Sequence, residues 1–302
     1  MLEGQERRAF MKNTAIVVDS TGSLSNELLK EPYIYQVNLT ATFADGTIFT
    51  DTNDETEAIE FLNQMGSASE LPKTSQPEPA QFVDALDDIK KQGYKNVLFI
   101  HLASALSGTF QTAQMIAKDY ADDFNSYFID SKSSSFIIED LVEQALVLLD
   151  KGLPLDIIVE KLQWAADQSD VFLMVENLNN LAKGGRLSKG EALVGNLLSI
   201  KPILIINKDG YIEPLEKVRT TNRALKHMNK LVDQQMKRFD SNAKIIFAHA
   251  NCEKRALKQV RELQVTYPDT TYRVGFLTMI ISAHVGEGAL GAAVVPNVTH
   301  EF

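Results

Sequence analysis

Three apolar runs in the first 130 residues, Thr14-Ala15-Ile16-Val17-Val18, Val97-Leu98-Phe99-Ile100 and Ser126-Tyr127-Phe128-Ile129, each stop at a polar turn rich in hydroxyls. Short apolar runs bounded by turn residues predict buried strands. The turns are Asp19-Ser20-Thr21-Gly22-Ser23, Ser104-Ala105-Leu106-Ser107-Gly108-Thr109 and Asp130-Ser131-Lys132-Ser133-Ser134-Ser135. Helical periodicity follows the second, with Phe110, Ala113 and Ala117 on one face, and the third, with Ile137, Leu141 and Ala145 in one stripe. A further helix starts at Pro79, buries Phe82, Leu86 and Ile89, and ends at Gly93; another, after Gly152-Leu153-Pro154, carries Ile158, Leu162 and Ala165 to Gln168. Between the first two runs, Gln36–Thr47 alternates weakly and predicts a strand turning at Asp45-Gly46. Asp51–Met65 predicts a helix with Ile59 and Leu62 inward and its acids on a solvated face. Repeated strand, wet turn and helix predict a parallel, Rossmann-like α/β domain over residues 13–168.

The pattern changes after residue 168. Val171–Val175 predicts a strand, Asn177–Ala182 a short helix, and Lys183-Gly184-Gly185-Arg186-Leu187-Ser188 a turn that projects a cation. Ile203–Ile206, the turn Lys208-Asp209-Gly210 and Tyr211–Val218 form a hairpin pattern. An amphipathic helix spans Thr220 to about Arg238. A strand follows over Lys244–Ala250, then a helix capped by Asn251 and reaching Val265, then a strand over Tyr272–Thr278. A glycine-rich loop, Ser282–Gly291, precedes the last apolar strand, Ala292–Val295. Hairpins mixed with helices predict an α+β domain over 169–302 with a mainly antiparallel sheet.

Composition narrows the function classes. The 302 residues are 44% hydrophobic and 23% charged, with a net charge of −10 and a pI near 5.1. That balance opposes broad binding to nucleic acid or to anionic membrane, which needs a basic face. The single cysteine, Cys252, allows no internal disulfide and fits a reducing, cytoplasmic setting. Without a partner, it reads as a bystander thiol or, beside a helix start, as one with a lowered pKa. No run reaches 18 apolar residues, and MLEGQERRAFMKN lacks the apolar core of a signal peptide and is expected to fray before the first strand.

The candidate chemistry gathers in loops. In an open parallel sheet, ligands bind beyond the carboxyl ends of the strands, where helix N-termini favour anions. The Ser104–Thr109 turn is therefore expected to hold an acidic head group, although Ser107 or Thr109 also suits a simple N-cap. Asp19 equally suits a turn in which it caps its own backbone. Thr74 and Ser75 lie in Leu71–Pro79, a loop stiffened by three prolines, so hydrogen bonds to a ligand there cost little ordering. His284 sits among Ala283 and three glycines, small neighbours that let a ligand come close. One cysteine and five scattered histidines offer no metal-ligand spacing. Gly286-x-Gly288-x-x-Gly291 matches a dinucleotide fingerprint in letters only, because it precedes a strand. Ser107 with His284 raises the alternative of an ester hydrolase, without a G-x-S-x-G elbow to support it. A regulatory binder of a non-lipid carboxylate is a third reading.

Six segments in order resemble one family: Val18-Asp19-Ser20 with Leu24, Thr74-Ser75-Gln76-Pro77, Leu106–Gln111, Asp130-Ser131-Lys132-Ser133, Gly184-Gly185-Arg186 and Ala283-His284-Val285-Gly286. On these the sequence resembles the DegV family, bacterial two-domain fatty-acid-binding proteins that serve as acyl carriers for fatty-acid kinase. The resemblance implies one long-chain fatty acid, such as palmitate, stearate or oleate, in a tunnel between the domains, with no cofactor and no catalytic step. It implies a carboxylate held by Thr74, Ser75, Ser107, Gly108 and His284, with Ser104 and Thr109 as additional contacts. It also implies that Arg186 lies where the kinase docks. Ala103 and Ala105 depart from the serine and glycine common in the family, and Glu78 and Glu287 add negative charge near the expected carboxylate.

Overall fold

The computed structural model describes residues 13–188 and 201–300. The segment read as fraying lies outside them, except for its last residue, Asn13. The first sheet has the order β2-β1-β6-β7 and is parallel throughout, with β1 Thr14–Asp19, β2 Ile34–Val37, β6 Asn96–His101 and β7 Asn125–Asp130. Strand geometry sends alternate residues to opposite faces. Ala15 and Val17 accordingly pack with Phe82, Leu86 and Ala113 of helices α3 (Pro79–Gln92) and α4 (Thr109–Ala117). Ile16 and Val18 pack on the other face, against α5 (Phe136–Asp150) and α6 (Leu155–Gln168).

Helix α5 is buried nearly all round, because a second sheet lies behind it: Ile246, Ala293 and Val295 join the same core. That sheet has the order β10-β9-β8-β13-β11-β12, with β8 Asp170–Met174, β9 Lys201–Ile206, β10 Ile212–Val218, β11 Ala243–His249, β12 Tyr272–Phe276 and β13 Leu290–Pro296. Every pairing is antiparallel except β11 with β12, which is parallel, so the sheet is mixed. Its far face buries Phe172, Ile203, Phe247 and Val294 under α8 (Thr221–Arg238) and α9 (Glu253–Gln264). The predicted α/β architecture, with a parallel N-terminal sheet and a largely antiparallel C-terminal one, is the observed one.

Four local expectations need correction. The 36–47 segment is not one strand: β3 (Thr40–Thr42) and β4 (Ile48–Thr50) flank the turn, and β5 (Lys73–Ser75) pairs with β3 in a small antiparallel sheet. Thr74 and Ser75 thus lie on a strand, not in a free loop. His284 lies in a helix, α10 (Met279–Val285), which ends where Gly286 takes φ +78°. Asn251 does not cap α9: Cys252 holds that position, and Asn251 sits at φ +54°.

The acidic segment also departs from expectation. Only α2 (Glu55–Ser67) is helical, capped by Asp54, and it buries Ala58, Phe61, Leu62 and Met65, while Ile59 is only half-buried. Asp51, ahead of it, is buried. Its Oδ1 accepts the Ile280 N–H at 3.1 Å and its Oδ2 accepts the Ser20 hydroxyl at 2.9 Å. It therefore satisfies one of the orphan donors at the start of α10, 229 residues away in sequence. Burial raises its pKa to about 7 despite these donors.

Candidate ligand-binding site

β1 and β6 are neighbours, yet the chain leaves them for opposite sides of the sheet, to β2 and to β7. Such a switch point opens a crevice beyond the strand ends. Asp19 closes the floor of that crevice. Its Oδ1 accepts the Thr21 N–H (3.1 Å) and hydroxyl (2.5 Å), so it does cap its own turn. Its Oδ2 accepts the Leu102 N–H (2.9 Å) and lies 3.1 Å from His101 Nδ1. Because Asp19 is fully buried and its oxygens are committed to these partners, it fixes the strand ends and the loop that leads to Ser107.

Above this floor is a cavity walled by both halves of the chain. Leu102, Leu106 and Ile137 form one side, and Leu173, Ile206, Ile246 and Leu277 the other. It holds about 110 Å³ of space open to the centres of water-sized molecules, against the ~10–15 Å³ that one water needs. Its polar residues are few: Thr74, Gln76, Ser107, Ser133–Ser135, Arg186 and His284. No described lining residue is acidic. Glu78 is exposed at the start of α3, and Glu287 is exposed and bonded to Asn251 Nδ2 at 2.6 Å, so neither borders the cavity.

Four of these polar residues, Thr74, Ser107, Arg186 and His284, converge at one place. Thr74 Oγ1 lies 2.9 Å from His284 Nε2, joining β5 to α10 across 210 positions. The imidazole can enter because Gly184 has no side chain: a Cβ there would lie 2.6 Å from His284 Nδ1. Arg186, in the same Gly-Gly turn, donates from Nε to Leu106 O (3.2 Å) and from a terminal nitrogen to Gly184 O (2.5 Å). It thereby ties that turn to the Ser107 loop. Burial, reinforced by the Arg186 charge, pushes the His284 pKa down to about 4, so the ring is neutral near pH 7. Ser107 Oγ lies 2.9 Å from Thr109 Oγ1 and accepts the Thr109 N–H at 3.3 Å. When Thr109 donates its hydroxyl, the Ser107 proton is free for a ligand.

The structure therefore brings Thr74, Ser107, His284 and Arg186 to one cavity. Ser75 is exposed and absent from the lining, as alternation along β5 requires. Gly108 is the N-cap of α4 and has a packing role: a Cβ there would fall 2.3 Å from Gln76 Oε1. Thr109 lies behind Ser107, buried and absent from the lining. Ser104 is committed to Asp130, with its hydroxyl 2.6 Å from Oδ2. The hydrolase alternative finds His284 Nε2 on Thr74, not Ser107, and Nδ1 against Gly184, not a carboxylate. Sequence reasoning passed over Gln76, which lines the cavity and donates to Thr112 Oγ1 at 2.7 Å; its place two residues after Thr74 on an extended segment was the available signal. Cys252 is not activated, since burial raises its pKa. No metal-ligating cluster occurs among the described residues, and none of their helices is long and apolar enough to cross a membrane.

Comparisons with known proteins agree with this architecture. The family model described as "Uncharacterised protein, DegV family" matches residues 13–297. A DegV domain-containing protein of Listeria monocytogenes is 34% identical over 277 residues, covering 92% of this chain and 96% of the relative. The crystal structure of a fatty acid binding DegV family protein from Streptococcus agalactiae superposes with a TM-score of 0.87 at 31% identity, covering 94% of this chain and 98% of that one. That of DegV, a fatty acid binding protein from Bacillus subtilis, gives 0.82 at 31% identity, covering 94% and 99%. With a family model spanning nearly all of its described length, and relatives above 30% identity over nine-tenths of it, the chain belongs to the DegV family.

Proposed function

We propose that the chain binds one long-chain fatty acid between two domains, 13–168 and 169–302, and presents its carboxylate to a fatty-acid kinase. The observation that carries this reading is the Thr74–His284 pair, 2.9 Å apart, at one end of a cavity walled mainly by apolar side chains. The Streptococcus agalactiae and Bacillus subtilis relatives, described as fatty acid binding proteins, support it.

The energetics suit a lipid. Burying about 15 methylenes at ~0.8 kcal/mol each contributes roughly 12 kcal/mol. Association costs of ~4–15 kcal/mol offset much of this, so a preformed cavity is needed. A buried carboxylate must find donors. The Ser107 hydroxyl and the Thr74–His284 pair supply them: with the ring proton on Nε2 donated to Thr74, the Thr74 proton is free for the carboxylate. Arg186, half-buried beside the polar end and fixed by bonds to Leu106 O and Gly184 O, is the residue we assign to the kinase contact.

Native mass spectrometry of the purified protein tests the reading. A single fatty acid bound one-to-one is expected. Thr74→Ala and Ser107→Ala are each expected to weaken retention about 10- to 100-fold, as loss of a hydrogen bond to a charged group does, with unchanged unfolding curves. Wild-type retention in both would move the head group elsewhere. A protein that neither carries nor takes up fatty acid would overturn the function. For Arg186→Ala, acyl-phosphate formation in the presence of the kinase should fall about 100-fold while lipid is still bound; equal turnover would remove Arg186 from that role.

A further inference from the structure

The cavity has a direction. Its lining residues on the second sheet, taken in strand order, are Ile212, Ile206, Leu173, Gly291, Ile246 and, just past β12, Leu277. It therefore runs from β10 across the sheet to the end of β12, five strand spacings of about 4.8 Å, or roughly 24 Å. The polar end is at the β10 edge, because Leu187, next to Arg186, bridges to Ile212. The opposite end, at β12, is where Phe136 stands.

Three features fix that ring. Gly275 on β12 lies directly beneath it: a Cβ at this position would fall 2.0, 2.5 and 2.9 Å from three of its carbons. Arg273, on the same face of the strand, has its guanidinium 6.0 Å from the ring centre. That guanidinium is held by Glu139 and Glu143 of α5, each at 2.6 Å. Ser135, immediately before Phe136, takes φ +62° and ψ −148°, a conformation costly for a side chain and maintained by its N–H donating to Thr21 O at 2.8 Å. A residue in a costly backbone conformation thus precedes an aromatic ring clamped at the β12 end of the cavity.

We propose that Phe136 is the end wall of the acyl site, and that its seat on Gly275 sets the longest chain the protein accepts. This rests on the fatty-acid reading above and deepens it to chain-length selection. Filling the seat pushes the ring into the cavity, and removing the ring opens the β12 edge.

The test offers delipidated protein an equimolar mixture of saturated fatty acids of about 12 to 20 carbons and reads the bound species by native mass spectrometry. Phe136→Ala should shift the distribution to longer chains, with relative occupancy rising about fourfold for each further methylene buried. Phe136→Leu should shift it the same way but less, and serves if the alanine variant fails to fold. Gly275→Ala should shift it to shorter chains. Opposite shifts from the two sides of one contact support the end wall. One-to-one binding with the wild-type distribution in all folded variants overturns it and leaves the fatty-acid reading standing. A wild type that takes up none of the mixture overturns both.

Discussion

Replacing Asp19 with alanine is expected to destabilise the protein by about 3–5 kcal/mol, the range for removing one partner of a buried, hydrogen-bonded pair. The reason is asymmetric. The carboxylate accepts from Thr21 twice and from Leu102 N–H, and it faces His101 Nδ1. All four residues are buried, so water cannot replace it. Each orphaned donor costs about 1–3 kcal/mol. Asp19→Asn keeps one acceptor oxygen and should lose less. Urea unfolding followed by circular dichroism measures both; a loss below about 1 kcal/mol in the alanine variant would show that Asp19 does not fasten the ends of β1 and β6.

The second expectation concerns pH and two titratable groups tied to one helix, Asp51 accepting at its start and His284 within it. Asp51 satisfies the start of α10, and that helix carries His284. The Asp51 pKa rises on folding from 3.8 to about 7, chiefly through desolvation. Between those values the folded state binds more protons than the unfolded one, so stability falls as pH rises, by about 4 kcal/mol over the range. The His284 pKa falls on folding from 6.5 to about 4, again chiefly by burial. Between those values the unfolded state binds more protons, so stability rises with pH, by about 3 kcal/mol.

Over the shared window, pH 4 to 6.5, the two slopes oppose each other and their sum is nearly flat. Removing either partner uncovers the other. Relative to wild type, Asp51→Asn should gain stability as pH rises from about 4 to 7, and His284→Ala should lose it from about 4 to 6.5. Urea unfolding of delipidated protein across that range reads the difference, and His249, whose pKa burial also lowers, is common to all three proteins. Curves that stay parallel to wild type in both variants would place the two groups in water.

What the sequence made legible was local. Val97–Ile100 and Thr14–Val18 announce themselves because four or five consecutive apolar residues have no stable place but a buried strand. The loops after them could be singled out because parallel strands put their carboxyl ends on one side. The small sheet escaped notice because its strands are three residues each and pair across gaps that no window spans. His284 looked like a loop residue because the glycines after it dominate the pattern, whereas Met279–Val285 is an apolar run that one distant carboxylate helps to start. Asp51 looked like one more solvated acid for the same reason. Of the head-group residues, Thr74 and Ser75 were indistinguishable until the strand assigned them opposite faces. Phe136 lies just outside the Ile137, Leu141 and Ala145 stripe, and nothing near Gly275 in the sequence reveals the ring above it.

Because the cavity draws its walls from both halves of the chain, whatever fills it becomes a late-arriving part of the interior, in contact with both at once. Occupancy then acts as mortar: at a free concentration a hundred times the Kd it adds about 2.7 kcal/mol of cohesion. The same geometry separates how tightly a passenger is held from how long it stays. A passenger in contact with both halves is freed whenever they part, so its residence time also depends on how often the protein breathes along that seam. Anything that levers the halves apart would empty the cavity without competing for a single contact inside it.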